Sequence, residues 1–350
     1  MDNAGTAIAE VQSLFINSQW VKPDSGRYFS TINPATEEAI TQVPLAGERE
    51  TDLAVAAARR AFETGPWGKM KPGERGKILY RLAAQVEKQA EELALVESLD
   101  VGKPLAFTRT RDVPFAIDLL RYYAGWANKI YGTTLPTDES ALACTVREPI
   151  GVVAIITPWN SPLILSLMKI APALAMGNTL IHKPASWTPL SALKFAEICQ
   201  NAGVPEGVYN VVTGKKEGAK LILGGDRPPM KKGYYLNPTV FDAVENSLKL
   251  AREEIFGPVL AVIPFKEFDE VIEKANDTFY GLASGVWTSD MKKAYHTARR
   301  LKAGSVWVNC YGALDVMAPF GGFKQSGFGR EFGQEVLPLY TETKTVWFQM

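Results

Sequence analysis

Cysteine and histidine are scarce in this chain. Cys144, Cys199 and Cys310 are its three thiols and His182 and His296 its two imidazoles, all far apart in sequence. So few and so scattered, the cysteines give neither a disulfide framework nor a thiolate metal cage, and neither histidine has a second ligand at metal-binding spacing. No metal site is expected. Long apolar runs are also missing, so no segment reads as a membrane span. The N-terminal MDNAGTAIAEVQSLF carries Asp2 and Glu10 where a signal peptide would be basic and then apolar, which reads as a cytoplasmic protein. Net charge is absent as well: Lys plus Arg and Asp plus Glu number 38 each. A balanced chain has no general attraction for nucleic acid or an anionic membrane. No GxSxG turn between a strand and a helix supports a serine-histidine-carboxylate triad.

What is present is enough apolar material for about two domains, 46% of 350 residues. "FINSQW" and "YFSTINPAT" read as short strands joined in a hairpin around Pro23-Asp24-Ser25-Gly26. Helices follow: "TDLAVAAARRAFE" behind a Thr51 cap, one long helix in "GERGKILYRLAAQVEKQAEELALVESLD" with Ile78, Leu82, Val86, Leu93 and Val96 at helical spacing, and a third from about Val113 to Tyr131. The stripe of Tyr122, Tyr123 and Trp126 there reads as packing.

From residue 151 strands and helices alternate. "GVVAIITPW", "NTLIHKP" and "GVYNVV" are apolar runs of the kind buried on both faces, separated by helices near Leu163 to Ala175 and Leu190 to Asn201. That is a βαβαβ unit, a parallel half-sheet that binds a mononucleotide at the carboxyl ends of its strands. A second alternation follows, with strands "VLAVIPF", "ASGVWTS" and "GSVWVN", helices "FDEVIEKAND" and "DMKKAYHTARRLKA", the Gly-rich "PFGGFKQSGFGRE" and a last strand "TKTVWFQ". The first strand ends in Pro158-Trp159-Asn160. Two readings stay open for Asn160: an amide donor for a developing oxyanion, or a cap on the next helix. Lys183 closes the second strand, where a cation reaches a ribose or phosphate or is simply solvated.

"ITPWNSPL", "GNTLIHKPASWTPLSA", "AGVPEGVYNVVTG", "EEIFGPVLAV", "NDTFYGLASGVWTSD", "AGSVWVNCYG" and "PFGGFKQSGFGRE" together resemble the aldehyde dehydrogenase superfamily, in the family's own order. Seven stretches in register make the resemblance specific. It implies NAD(P)-dependent oxidation of an aldehyde to a carboxylate by a cofactor domain, a catalytic domain and a small bridging hairpin that builds oligomers. By the same resemblance Asn160 is the side-chain half of the oxyanion hole, and Ile156, Thr157, Pro158 and Trp159 line the nicotinamide side. Lys183 bonds the adenosine ribose, and Glu254, with Phe256 beside it, holds the nicotinamide ribose. At Ser186 many NAD-preferring members have a glutamate that repels a 2′-phosphate; serine leaves both NAD and NADP acceptable.

The resemblance also implies a nucleophilic cysteine in "GQxC", a base in "ELGGK" and a phosphate-facing "FTGSTEVG", and none of these strings occurs in the sequence. All three would fall between "VYNVVTG" and "AKLILGG". The expectation is therefore an α/β chain that is internally truncated between Gly214 and Ala219. Its parts are a partial Rossmann-type parallel sheet (1–130 and 151–214), bridging elements (131–150 and 338–350) and a remnant of a second α/β domain (219–337). Val208 and Val211 are then expected on an exposed sheet edge. Three functions follow from that expectation: a shortened aldehyde dehydrogenase, inactive as it stands and with impaired cofactor binding; a pseudoenzyme partner in homo- or hetero-oligomers with full-length subunits; or a residual nucleotide-binding module. Cys310, at the end of "GSVWVNC", is the candidate substitute thiol; Cys144 and Cys199 read as packing or surface thiols.

Overall fold

The computed structural model describes residues 8–214 and 232–350. The run "AKLILGG" and the Gly214–Ala219 junction beyond Gly214 lie outside the described residues. The chain divides into two compact units, Met1–Ala219 with Val336–Met350, and Lys220–Glu335.

The first unit is built on a five-stranded sheet. Its strands are β1 (Leu14–Ile16), β2 (Gln19–Val21), β7 (Val152–Ile156), β8 (Thr179–Lys183) and β9 (Tyr209–Val211), in the order β2-β1-β9-β8-β7. β7, β8 and β9 are parallel, as continuous apolar runs joined by helices require. The connecting helices are α6 (Pro162–Ala175) and α7 (Leu190–Asn201). α6 ends at Gly177, whose φ of +96° is easy only for glycine, and the Arg75 guanidinium lies 3.1 Å from where a Cβ would stand.

The helices before residue 130 correct the boundaries expected from sequence. α1 (Glu48–Glu63) starts before Thr51: Gly47 is its cap residue, and the Glu50 carboxylate accepts from the Gly47 amide at 2.7 Å and from the Asp24 amide at 2.7 Å. The long helix expected after it is broken at Gln89 into α2 (Pro72–Lys88) and α3 (Ala90–Val101). A single turn, α4 (Leu105–Phe107), and five π-helical residues lead into α5 (Val113–Trp126). α1 buries Ala54, Ala57 and Ala58 against Leu14, Ile16, Ile181 and Val212. Small residues let a helix approach a sheet closely, and this apolar layer stands where a broader amphipathic face would be looser.

The hairpin differs from expectation in a way that matters for the sheet. "FINSQW" is not one strand but a whole hairpin, turning at Asn17 and Ser18, both with positive φ as a two-residue turn between twisted strands needs. "YFSTI" instead forms β3 (Tyr28–Ile32) and pairs with β4 (Ala39–Pro44). β1 then adds to β9, with Phe15 opposite Val211, so the edge expected to be open is covered and Val208 and Val211 are fully buried. The Asn210 carboxamide accepts from the Asn17 amide at 2.9 Å and donates to Leu180 and Gly207, which locks the hairpin onto β9. The strand at the other end of the order is β7. Gly151 O and Thr157 N bond toward β8, so the alternating backbone groups of Val152, Ala154 and Ile156 face away from it.

A second sheet in this unit joins β5 (Thr134–Leu135), β6 (Ala141–Pro149) and β16 (Thr341–Gln349), with nine residues of β6 paired along β16. Asn178 ties it to the first sheet, accepting from Gly151 N at 2.9 Å and donating to Tyr340 O at 2.9 Å.

The second unit holds three two-stranded ladders. β10 (Thr239–Phe241) pairs with β11 (Val259–Ala261), β12 (Tyr280–Gly281) with β15 (Phe323–Lys324), and β13 (Ala283–Val286) with β14 (Ser305–Val308). Its helices are α8 (Lys249–Arg252), α9 (Phe268–Asn276) and α10 (Met291–Arg300).

Phe15 is the hinge of the hairpin's attachment, 1% exposed and 4.9 Å from the Trp20 ring. Phe15→Ala is expected to lower the urea-unfolding free energy of the unit that holds this sheet by about 3–5 kcal/mol. A loss within the few tenths typical of a surface change would mean that the hairpin is not part of the core.

Candidate functional site at the strand ends

β7 and β8 end side by side, Ile156 in register with Lys183. The chain leaves β7 through Thr157, Pro158, Trp159 and Asn160 and enters α6 behind Ser161; it leaves β8 through Pro184 to Pro189 and enters α7 at Leu190. The two loops are tied together by the Thr188 hydroxyl, which donates to Trp159 O at 3.1 Å. Thr157 is buried, whereas Ile156 and Trp159 are 70% and 45% exposed, which leaves an apolar surface beside the strand ends.

The cap reading of Asn160 does not hold. Ser161 is the cap residue of α6, and the Asn160 carboxamide makes no hydrogen bond to any described residue. Lys183 is half-buried, and its ammonium donates to Pro184 O at 3.1 Å and Gly214 O at 3.4 Å. Partial burial holds its pKa below the ordinary lysine value. Ser186 is half-buried in the same loop.

Both helix N-termini here are already occupied by acids, which the sequence reading missed. Glu97 and Asp100, one turn apart on α3, are 0% and 3% exposed. Glu97 accepts from Leu163 N in the first turn of α6 at 3.3 Å and from the Ser191 hydroxyl. Asp100 accepts from Leu190 N at the start of α7 at 2.9 Å and from the Thr31 hydroxyl at 2.7 Å. Beside them Lys103 pairs with buried Asp112 at 2.6 Å and donates to Ser161 Oγ at 2.8 Å. The signal was there in "LALVESLD", where Glu97 and Asp100 share the face of Leu93 and Val96. His182, set aside as a metal ligand, is fully buried and bonded through both ring nitrogens. Burial pushes its pKa down to about 3, so it is neutral.

The remaining predicted residues belong to the second unit. Glu254 and Phe256 lie between α8 and β11, both exposed, with Phe256 at a φ of 53°. Glu253 faces solvent and pairs with Lys249 at 3.5 Å. Of the thiols, Cys199 is buried with its pKa pushed up, Cys144 is half-buried in β6, and Cys310 is exposed just beyond β14. The Gly-rich stretch closes on itself, Arg330 donating to Gly322 O at 2.9 Å and Gly329 O at 2.8 Å. Among the described residues no three His, Cys, Asp or Glu form a metal cluster, and no helix is long and apolar enough to cross a membrane.

A family model, the aldehyde dehydrogenase family, matches residues 20–217 and 213–346. The chain belongs to the aldehyde dehydrogenase family. It is 35% identical to human aldehyde dehydrogenase 1A1 over 471 aligned residues, covering 95% of this chain and 94% of the relative. The NAD+ complex of an aldehyde dehydrogenase from Bacillus cereus matches with a TM-score of 0.94 at 33% identity, covering 100% of this chain and 99% of that one. KauB, an aldehyde dehydrogenase from Pseudomonas aeruginosa, matches with a TM-score of 0.93 at 31% identity, covering 99% and 98%.

This span corrects the expectation of an internally truncated chain. The family match runs through the Gly214–Ala219 junction, its second stretch beginning at 213 before the first ends at 217, and the relatives are covered almost to their full lengths. The expectations of an inactive chain, a pseudoenzyme partner and impaired cofactor binding lose the ground they stood on. The α/β fold of the family stands.

The buried acids generate a pH prediction. Burial raises Glu97 from 4.5 and Asp100 from 3.8, each to about 7. Between those limits the folded chain keeps protons that the unfolded chain has released. Their contribution to stability is therefore fullest below the ordinary carboxylate values and declines as pH rises toward 7, by about 3 kcal/mol for Glu97 and about 4 kcal/mol for Asp100. Glu97→Gln keeps the acceptor for Leu163 and cannot ionise. It is expected to flatten this slope in urea unfolding followed from about pH 4 to pH 8, and an unchanged slope would show that Glu97 is not its source.

Proposed function

We propose that this chain oxidises an aldehyde to a carboxylate with NAD+ or NADP+. The observation that carries the reading is the unpaired Asn160 carboxamide at the end of β7, one strand from Lys183, in a chain matched to this family along its length. A carboxamide with no hydrogen-bond partner among the described residues can give its N–H to an oxyanion by exchanging a water, without breaking a bond of the fold. The nicotinamide supplies the hydride acceptor when bound.

The residues fit part of that cofactor. Exposed Ile156, Pro158 and Trp159 offer an apolar face beside Asn160, and Lys183 can turn its ammonium from two carbonyls to a ribose. Ser186 puts no negative charge near a 2′-phosphate, which suits NADP as well as NAD. The N-termini of α6 and α7 do not fit a pyrophosphate, because Glu97 and Asp100 already accept from them. Glu254 and Phe256 are the residues proposed to contact the nicotinamide ribose. The adduct with aldehyde needs a thiolate; Cys310 is exposed, and its replacement tests whether it supplies one. The β5-β6-β16 sheet, with Trp347 and Phe348 more than half exposed, is the proposed homo-oligomer surface.

Purified chain given NAD+ or NADP+ and a panel of aliphatic and aromatic aldehydes is expected to form NAD(P)H. Asn160→Ala should lower kcat about 100- to 1,000-fold with little change in KM for the nucleotide. Lys183→Ala should act the other way, on the nucleotide KM. Cys310→Ala should abolish turnover while Cys144→Ala leaves it. Saturable nucleotide binding with no NAD(P)H formed from any aldehyde would overturn the oxidoreductase reading and leave a nucleotide-binding module.

A further inference from the structure

His182 stands where three strands and a helix meet, and every polar atom of its ring is committed. Nδ1 lies 2.8 Å from the Tyr209 hydroxyl on β9; Nε2 lies 3.0 Å from the Thr157 hydroxyl beyond β7 and 3.3 Å from the Ser166 hydroxyl on α6. The proton positions follow from Ser166. Its hydroxyl donates to Pro162 O at 2.5 Å, so toward His182 it can only accept. The tautomer in which all three contacts are hydrogen bonds therefore has the ring proton on Nε2, with Nδ1 accepting from Tyr209. The Nε2–H points at two acceptors, of which Thr157 Oγ1 is the nearer.

We infer that His182 is a positioning residue for the Thr157–Asn160 loop, holding the Thr157 hydroxyl from below so that Asn160 is delivered in one orientation at the end of β7. Thr157 is the last residue of that loop bonded to the sheet, through its amide to Lys183 O at 3.3 Å and its hydroxyl to His182. Past it, Pro158 has no N–H to give, and the Asn160 carboxamide has no hydrogen-bond partner among the described residues. Without the His182 bond, rotation at Thr157 is restrained by one long backbone hydrogen bond and by Thr188 on Trp159 O. Ser166 extends the same hold to the first turn of α6, so the loop is gripped at its strand end and at its helix end by a single imidazole. This inference rests on the role proposed for Asn160, but its test does not need turnover.

The test is hydrogen exchange by mass spectrometry on the full chain, reading the peptide that contains Trp159, Asn160 and Ser161. Thr157→Val, close in shape and lacking the hydroxyl, is expected to speed exchange there roughly three- to tenfold, as loss of one hydrogen bond would, with β8 and β9 peptides unchanged. His182→Gln, whose amide reaches about as far as Nε2, should restore most of the protection that His182→Leu removes. Combining Thr157→Val with His182→Leu should add nothing to the larger single effect. Unchanged loop exchange in Thr157→Val, or additive effects in the pair, would overturn the inference. If His182→Leu does not fold, Thr157→Val with Tyr209→Phe decides the question: the inference requires faster exchange in the same peptide for both. NAD+ titration of the unaltered chain runs alongside. Absence of binding there counts against the proposed function and leaves the exchange result standing.

Discussion

Two carboxylates buried under two helix N-termini are the constraint around which the first unit is arranged. An α-helix begins with four amide N–H groups that lack intrahelical partners and with the positive end of its dipole. α6 and α7 begin with Pro162 and Leu190, neither preceded by a side-chain cap of its own. Glu97 and Asp100 supply the missing acceptors from α3, one turn apart, so α3 fixes the spacing of the two crossover helices. A buried acid left without donors would cost several kcal/mol, which is why each oxygen that reaches a helix is matched by another that takes a hydroxyl proton, from Ser191 and from Thr31. Those two hydroxyls lie on α7 and β3, so the acids also bind distant stretches of chain to the same point.

The sheet supplies the other half of the arrangement. A three-stranded parallel unit has two edges, and the N-terminal hairpin occupies one of them through Phe15, Asn17 and Asn210. The strand ends at β7 and β8 then carry loops anchored at both sides: His182 and Lys183 carbonyl hold the start of the first loop, while Glu97 and Lys103 hold its finish at Leu163 and Ser161. Between the anchors lie Pro158, Trp159 and Asn160. A short segment gripped at both ends can keep an unpaired carboxamide in place without a bond to that group itself.

Much of this was legible in the residues, and what was not has physical causes. The βαβαβ unit showed in "GVVAIITPW", "NTLIHKP" and "GVYNVV" because strands buried on both faces are uninterrupted apolar runs. Asn160 and Lys183 were singled out because strand ends carry chemistry in such sheets. The edge covered by the hairpin did not show, since chain order does not say on which side a strand will add. The turn inside "FINSQW" was hidden because Asn17-Ser18 takes positive φ without a glycine to announce it. The break at Gln89 likewise has neither Gly nor Pro. Glu97 and Asp100 were passed over for a different reason: they share the apolar face of Leu93 and Val96, but acids in a helix normally mark the solvent face, and only the partners brought by α6, α7 and β3 make their burial tolerable.

The same accounting separates groups that hold the fold from groups left over for chemistry. His182 is bonded to Tyr209, Ser166 and Thr157; Asn178 bonds Gly151, Ala173 and Tyr340; Asn210 bonds Asn17, Leu180 and Gly207. Each of these side chains could be taken for a functional one from its residue type alone. Asn160 differs from Asn178 and Asn210 in what surrounds it, not in what it is: it stands half-exposed, outside every hydrogen bond of the described residues, on a loop whose flanking residues are satisfied. Buried polar groups are paired within the fold, whereas a half-exposed one can bond solvent, and under the function proposed for this chain that bond is exchanged for one to an oxyanion.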